Sequence, residues 1–503
     1  MTPSANTGAT PQLIPPAATL SAQVLVIGSG AGGATTAAVL AEAGFDVLIA
    51  EEGPWVDQDT VVPFSLEQMD RQYRSGGVTV ALGLPSIAYT EGRCAGGGTE
   101  VNSGLYFRPP LEVIERWRRD YRIDALDLDE LSSIADEVEQ AINVTTVPGS
   151  PTPASEILRR GAAALRWKHS EIPRWMTYPP GGDAVTGRRQ SMTRTYLPRA
   201  MNAGARMIVG CRVDRLEREG GGSVRAHVAF SAGATGPQRG EIRCRFVFVC
   251  GGAIQTPAIL QRSGLRRHIG KSLAVHPTVK LAARFRDEIN VPDDVPVHQV
   301  KEFAPHLSFG GSASQPGLVA LALSDQWSAF SSMVEDWRRI SVYYAAITSE
   351  GRGAVRAIPG LRDPVVTYRL TARDRALLRS GMSRLALLLL EAGATEVFPS
   401  FRGAPMVRHR NHLDDLQRRF AVSKASVMTV HLCSTVPLGE DHNRCGADSF
   451  GRVHGTDNIF VNDASLLPDA PGVNPQATVM AFAIRNARHF ADARPLPQES
   501  ARA

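Results

Sequence analysis

The chain has 503 residues, 43% of them hydrophobic and 21% charged, which allows a large core and exceeds one ordinary domain, so two lobes are expected. Its net charge of +5 is modest for this length and comes almost entirely from scattered single arginines, lysine occurring only at Lys168, Lys271, Lys280, Lys301 and Lys424; this argues against nucleic acid as a partner. No run approaches the roughly eighteen uninterrupted apolar residues of a transmembrane segment.

Residues 1–22 are rich in Ala, Thr and Pro and read as a disordered arm rather than a signal peptide. Val24-Leu25-Val26-Ile27 is a short buried strand leading into Gly28-Ser29-Gly30-Ala31-Gly32-Gly33. A helical stretch from Ala34 to Ala43 follows, then the strand Val47-Leu48-Ile49-Ala50 and Glu51. Strand, glycine loop, helix, strand and acid form a dinucleotide-binding pattern. Gly28 permits the tight turn, and Gly30 and Ala31 let backbone approach a pyrophosphate. Gly33 lets the helix pack on the sheet, and Glu51, 23 residues beyond Gly28, is placed to accept ribose hydroxyls. Further on, 206–217 and 224–230 predict a hairpin-like excursion around Gly220-Gly221-Gly222. Phe246 to Cys250 reads as a strand ending at Gly251-Gly252-Ala253, with Thr256-Pro257 opening a helix through Leu260 to Ser263. From Lys280 to Val422 the texture changes to alternating strands, a turn at Gly351-Arg352-Gly353 and a helix over Ala372 to Glu391. Tyr343 and Tyr344 are expected on opposite faces of one strand. After Ser423 the first texture returns. The expected organisation is a discontinuous nucleotide domain over 23–279 and 423–495 with a second domain over 280–422, and no internal repeat. The six cysteines, 94, 211, 244, 250, 433 and 445, contain no C-x-x-C and suit a reduced, cytoplasmic setting.

Three further segments complete a pattern. Gly92-Arg93-Cys94-Ala95-Gly96-Gly97-Gly98-Thr99-Glu100-Val101-Asn102 is the first. The second runs from Gly252-Ala253-Ile254-Gln255-Thr256-Pro257 to Ser263-Gly264-Leu265. The third joins His431-Leu432-Cys433-Ser434-Thr435 to Asn462-Asp463-Ala464-Ser465 and Gly472-Val473-Asn474-Pro475. With the nucleotide loop, these resemble the glucose-methanol-choline family of FAD-dependent oxidoreductases from Val24 to about Arg488. The resemblance implies an α/β fold: a discontinuous FAD-binding Rossmann-like (PHBH-type) domain plus a substrate domain with a mostly antiparallel sheet backed by helices. It also implies that Val213 meets the adenine through its backbone, that Gly96 to Asn102, including Gly97, Gly98 and Asn102, runs along the flavin, and that Asp463 and Ala464 lie by the pyrophosphate and ribityl chain. Arg93, Gly252, Asn474 and Pro475 join the cofactor-binding set. The chain departs from the family at Ala95, Arg266, Ser434 and Val436-Pro437. Val101 stands where some members tether their flavin through a His, so noncovalent FAD is expected.

The same resemblance makes His431 and Asn474, 43 residues apart, the catalytic pair: a general base and a hydrogen-bond donor for oxidation of an alcohol to an aldehyde or ketone. The electron acceptor would be O₂ or a quinone or protein. The alternative is a lyase of the hydroxynitrile-lyase type with structural FAD. His227 and His276 are read as satisfied core histidines. A metal site at His431, Cys433, His442 and Cys445 has unusual spacing and would consume the base, so no metal is expected. Pocket walls are expected from 79–89, 303–314 and 327–344.

Overall fold

A computed structural model describes residues 13–231, 238–292 and 294–494. Residues 1–12 of the expected arm lie outside the described residues. The first strand begins at Thr19, so residues 19–22, expected in that arm, instead pair with Glu241 to Cys244. Val24 to Ile27 and Val47 to Ala50 are almost fully buried, the continuous apolar texture of strands covered on both faces. They pair in parallel, Val24 against Val47, with the helix Ala31–Glu42 as crossover. Gln238–Val249 flanks the first strand on its other side, also in parallel. Cys211–Arg218 and Val224–Phe230 form the expected hairpin and extend the sheet antiparallel to Gln238–Val249. Arg206–Ile208 is a separate strand beside Val47–Ala50. The sheet is completed near the other end of the chain, where Ile459–Val461 pairs in parallel with Val247 to Val249.

The helix after Val249 differs from expectation. It starts at Gly252 and runs to Arg262, with Pro257 inside it rather than at its opening. A proline there removes the N–H that Ala253 would have received. The Thr435 hydroxyl donates to the Ala253 carbonyl instead, at 2.8 Å, so the freed acceptor is satisfied by a residue far along the chain.

The second sheet has nine strands. Thr278–Arg284 pairs antiparallel with Ile340–Ile347, with Glu396–Pro399 and with Val427–Thr429. Strands at 79–81, 87–89, 169–171 and 427–429 belong to this sheet although they lie outside 280–422; it gathers neighbours from both sides of that span because each strand needs a hydrogen-bonded partner. Val279, Leu281, Ala283, Tyr343 and Ala345 face one core with the helix Ala372–Glu391. Thr371 starts that helix with a reciprocal capping box to Asp374. Tyr343 and Tyr344 do take opposite faces: the Tyr343 hydroxyl donates to Ala154 O at 3.0 Å, while the Tyr344 hydroxyl receives Gln299 Nε2 at 3.2 Å. Among the described residues no helix is long and apolar enough to cross a membrane.

Two glycines set the junction of helix and sheet. Gly28 has φ +94° and would bring a Cβ within 2.4 Å of the Cys250 carbonyl oxygen; at Gly33 a Cβ would fall 2.0 Å from the Gly28 oxygen. Both obstacles are backbone, which cannot turn aside. Gly33→Ala is therefore expected to destabilise the apoprotein by about 1–3 kcal/mol through overpacking, read as a lower denaturation midpoint; an unchanged midpoint would contradict this packing.

Candidate active site

Loops at one end of the first sheet meet the second sheet around a cavity of about 450 Å³. Gly28, Gly30, Ala31, Glu51, Arg93, Gly97, Gly98, Asn102, Val213, Gly252, Asp463, Ala464, Asn474, Pro475 and His431 all line it. Gly33 does not; it is spent on helix packing. Of the segments expected to form pocket walls, only Ser312 and Ala313 reach the cavity. Phe64, Met69, Lys280, Leu318, Met428 and Val430 line it instead.

The nucleotide end has features of an anion cradle. The helices Ala31–Glu42 and Gln476–Asp492 begin at Gly30 and Pro475, neither of which caps with a side chain, and neither helix has an acid in its first turn. Their first N–H groups and positive dipole ends remain for a ligand. A Cβ on Gly98 would meet nothing within 4 Å, and one on Gly30 only Gly97 Cα at 4.0 Å, so both positions open on free space. Glu51 accepts from Ser29 N at 3.0 Å, Ser29 Oγ at 2.7 Å and Gly53 N at 2.7 Å. Burial raises its pKa, and these three donors oppose the rise. Asp463 accepts from Gly252 N and Ser465 N. Its carboxylate thus anchors the helix Gly252–Arg262, and the segment meets the cavity around it. Asn102 is held by Gln476, its Nδ2 donating to Gln476 Oε1 at 2.8 Å.

His431 follows the strand Val427–Thr429. The next two residues, Leu432–Cys433, pair antiparallel with Ala274–Val275, Val275 opposite Leu432. That register sets His276 beside His431, with Nδ1 to Nδ1 at 2.9 Å and rings at 87°. His276 Nε2 in turn receives the backbone N–H of Gly472 at 3.0 Å. A backbone N–H is always a donor, so Nε2 of His276 is bare, its Nδ1 carries the proton in the neutral ring, and that proton is donated to His431 Nδ1. His431 then keeps its own proton on Nε2, which has no protein partner among the described residues. One chain of hydrogen bonds thus ties His431 to the loop Gly472-Val473-Asn474. The Asn474 carboxamide has no hydrogen-bond partner among the described residues and lines the same cavity. Burial, with Lys301 as a nearby positive charge, lowers the pKa of His431 to about 4. Burial also takes His276 well below the ordinary imidazole value, with the neighbouring His431 adding to it.

His276 was expected to be a satisfied core histidine; it is buried and satisfied, but its partner is His431. His227 differs from that expectation: it is half-buried at the surface and bonded to Glu217 at 2.8 Å. Among the described residues no three His, Cys, Asp or Glu side chains converge as metal ligands; His442 lies against the His454 ring, and Cys445 donates to Leu438 O. Ser434, one of the departures, has φ +69°, a backbone in which glycine is unstrained; its hydroxyl donates to Pro468 O at 2.7 Å and helps hold the turn.

Residues 69–278 and 350–483 each match a family model described as GMC oxidoreductase. The chain belongs to the GMC oxidoreductases. A GMC-type oxidoreductase of Sinorhizobium fredii with no characterised activity is 39% identical over 475 residues, spanning 93% of this chain and 94% of that protein. A long-chain-alcohol oxidase of Arabidopsis thaliana is 26% identical, covering 92% of this chain and 67% of its own length. A 6'''-hydroxyparomomycin C oxidase of Streptomyces lividus is 27% identical over 93% of this chain and 91% of the relative. Among solved structures, pyridoxine 4-oxidase from Mesorbium loti superposes with TM-score 0.69 at 19% identity, over 94% of this chain and 99% of that one. Aspergillus oryzae formate oxidase gives 0.72 at 14% identity, over 95% and 99%. These two show the fold alone.

As a GMC oxidoreductase this chain is an FAD-dependent redox enzyme, and the uncapped helix ends and open glycines fit that cofactor. Gly30→Val is expected to leave the apoprotein midpoint near that of the unaltered chain, since a Cβ there approaches only Gly97 Cα, at 4.0 Å, while the purified protein loses its yellow flavin. Full flavin occupancy in this variant would remove Gly30 from the cofactor's path.

Proposed function

We propose that this GMC oxidoreductase oxidises an alcohol to an aldehyde or ketone, with His431 and Asn474 at the reacting carbon and noncovalent FAD. The observation that carries this reading is the Gly472–His276–His431 chain, which brings an imidazole and a free carboxamide from separate segments to one cavity. The relatives named as long-chain-alcohol and hydroxyparomomycin C oxidases support the reaction class. FAD, when bound, supplies the hydride acceptor.

An alcohol has a pKa of ~15.7 in the reference case of water and an ordinary imidazole about 6.5. At about 1.36 kcal/mol per unit that gap is on the order of 12 kcal/mol, and the depressed value of His431 widens it. The hydroxyl proton therefore leaves together with the hydride rather than before it. Asn474 serves as a donor where negative charge grows on the oxygen, and having no hydrogen-bond partner among the described residues it gives up no existing bond to do so. His431 needs a bare Nε2 to receive the proton. In the resting tautomer that nitrogen is protonated, so the pair must exchange: His431 gives its Nε2 proton to water, the Nδ1 proton of His276 passes to His431 Nδ1, and His276 takes a proton back from water on Nε2 and releases Gly472, leaving its Nδ1 to accept from His431 Nδ1–H. In this second arrangement His276 also stabilises the imidazolium that His431 becomes. Binding of the substrate's oxygen near the Asn474 loop and baring of the base are thereby coupled.

Val101, in the helix Gly98–Val101 on the cavity wall, offers no nucleophile, and burial pushes the Cys211 thiol up to about 12. Acid precipitation is expected to leave the flavin in the supernatant; colour kept by the pellet would show a covalent tether. His431→Ala should retain the bound-flavin spectrum while anaerobic flavin reduction by alcohol slows about 10²–10⁴-fold, and Asn474→Ala should slow it less. Near-normal reduction in His431→Ala removes the base, and substrate turnover without flavin bleaching in the unaltered enzyme indicates lyase chemistry instead. Titration of the reduced enzyme with O₂ and with a quinone assigns the acceptor.

The lowered pKa of His431 favours its neutral form, so the competent state persists above that value and is lost as pH falls through it. The acid limb of flavin reduction is expected near pH 4 rather than near 6.5.

A further inference from the structure

The cavity differs in charge at its two ends. All the carboxylates that line it, Glu51, Glu52, Glu91 and Asp463, belong to the nucleotide end and are engaged there. Glu51 and Asp463 hold backbone amides, and Glu52 and Glu91 share Arg74. The second-sheet end is lined by Lys280, Ser312, Ala313, Leu318, Met428 and Val430, beside His431, with no acid among them. Lys280 lies on Thr278–Arg284, directly across from Tyr344, and two positions from Thr278, which pairs with Met428. Alternation along the strand puts Lys280 on the face of Thr278 and Met428, away from the core that holds Val279 and Leu281. Its ammonium has no carboxylate or hydrogen-bond partner among the described residues. Lys301, whose charge acts on both His276 and His431, also has no carboxylate partner; its ammonium lies 4.4 Å from the Phe107 ring centroid.

A half-buried ammonium without a counter-ion is costly. Burial pushes Lys280 down to about 8, which still leaves it mostly charged at neutral pH. A structural role would have supplied an acid or a ring of acceptors, and the strand supplies neither. The remaining occupant of the cavity is the substrate.

Resting on the alcohol-oxidation reading, we propose that Lys280 binds a carboxylate of the substrate, so that the enzyme acts on hydroxy acids: the acid group at the Lys280 end, the alcohol carbon at His431 and Asn474. One ammonium matches one carboxylate charge, and Ser312 supplies a hydroxyl on the same wall.

The test separates binding from turnover. With the FAD-loaded enzyme, benzoate and benzamide are titrated while the flavin absorbance is followed, in the unaltered protein, Lys280→Met and Lys280→Arg. Benzoate should bind more tightly than benzamide, and Lys280→Met should weaken benzoate at least tenfold, about the value of one charge-assisted hydrogen bond, while Lys280→Arg retains the preference. Equal binding of the two probes, or equal loss of both in Lys280→Met, overturns the assignment whatever the enzyme oxidises. In parallel, 4-(hydroxymethyl)benzoate and benzyl alcohol are compared by anaerobic flavin reduction. A KM advantage for the acid that collapses in Lys280→Met supports the substrate class, and no advantage overturns it. Benzoate binding through Lys280 with no reduction by any alcohol would sink the alcohol-oxidation reading and leave the anion site standing.

Discussion

The bond from the Gly472 amide to His276, and through it to His431, is the constraint on which the site turns. An imidazole on a mobile loop would sample many positions, and a carboxamide two residues past Gly472 would sample more. Here a two-residue antiparallel ladder, Ala274–Val275 against Leu432–Cys433, fixes the two histidines side by side. A single backbone donor then fixes the direction of every proton in the resting row. The backbone donor matters because it cannot reverse its role as a hydroxyl or water could. Buried imidazoles stay neutral at low cost, so the row satisfies three of its four ring nitrogens without a charge and leaves His431 Nε2 to the cavity.

Charge is handled differently at the two ends of the cavity. At the nucleotide end acids and arginines neutralise one another: despite burial, Arg74 with Arg362 and Arg93 holds Glu52 down to about 2, and Arg74 also reaches Asp363. That cluster joins the loop after the second strand to the segment ahead of Val365–Arg369, and so fastens one lobe to the other. It leaves the helix ends as the main source of positive field for a pyrophosphate. At the other end the lysines stand without acids, and the field there is set by side chains rather than backbone dipoles.

Much of the nucleotide half was legible in the sequence because its constraints are local. The strand, glycine loop, helix and second strand lie within one stretch, and the Gly28 turn is needed for reasons visible in that stretch alone. The helix Ala372–Glu391 was legible because its helical pattern is continuous in sequence, and its start is fixed locally by the Thr371–Asp374 capping box. What was not legible came from contacts between distant segments. Pro257 looked like a helix opener because the hydroxyl that permits it inside the helix belongs to Thr435. His276 looked like ordinary core because a two-residue ladder gives no periodicity to detect. Lys280 looked like one of five scattered lysines, since only the register with Tyr344 and Met428 shows which side of the strand it takes. The expected pocket walls misled for the same reason: aromatics and glycines identify strands, but the face each strand turns inward depends on its neighbours.

The contact between the first helix and the last segments has a consequence for how the protein is made. Gly32 lies so close to the Asn462 carbonyl that a Cβ would fall 2.0 Å from it, and Asn462 Nδ2 donates to Thr36 Oγ1 across 426 positions of sequence. Asn486 then braces Asn462 from the final helix. While the ribosome is still adding the middle of the chain, the helix Ala31–Glu42 lacks Asn462 and the final helix, so that side of its packing, and the cavity wall that Asp463 and Gln476 contribute, is completed only when the last segments have emerged.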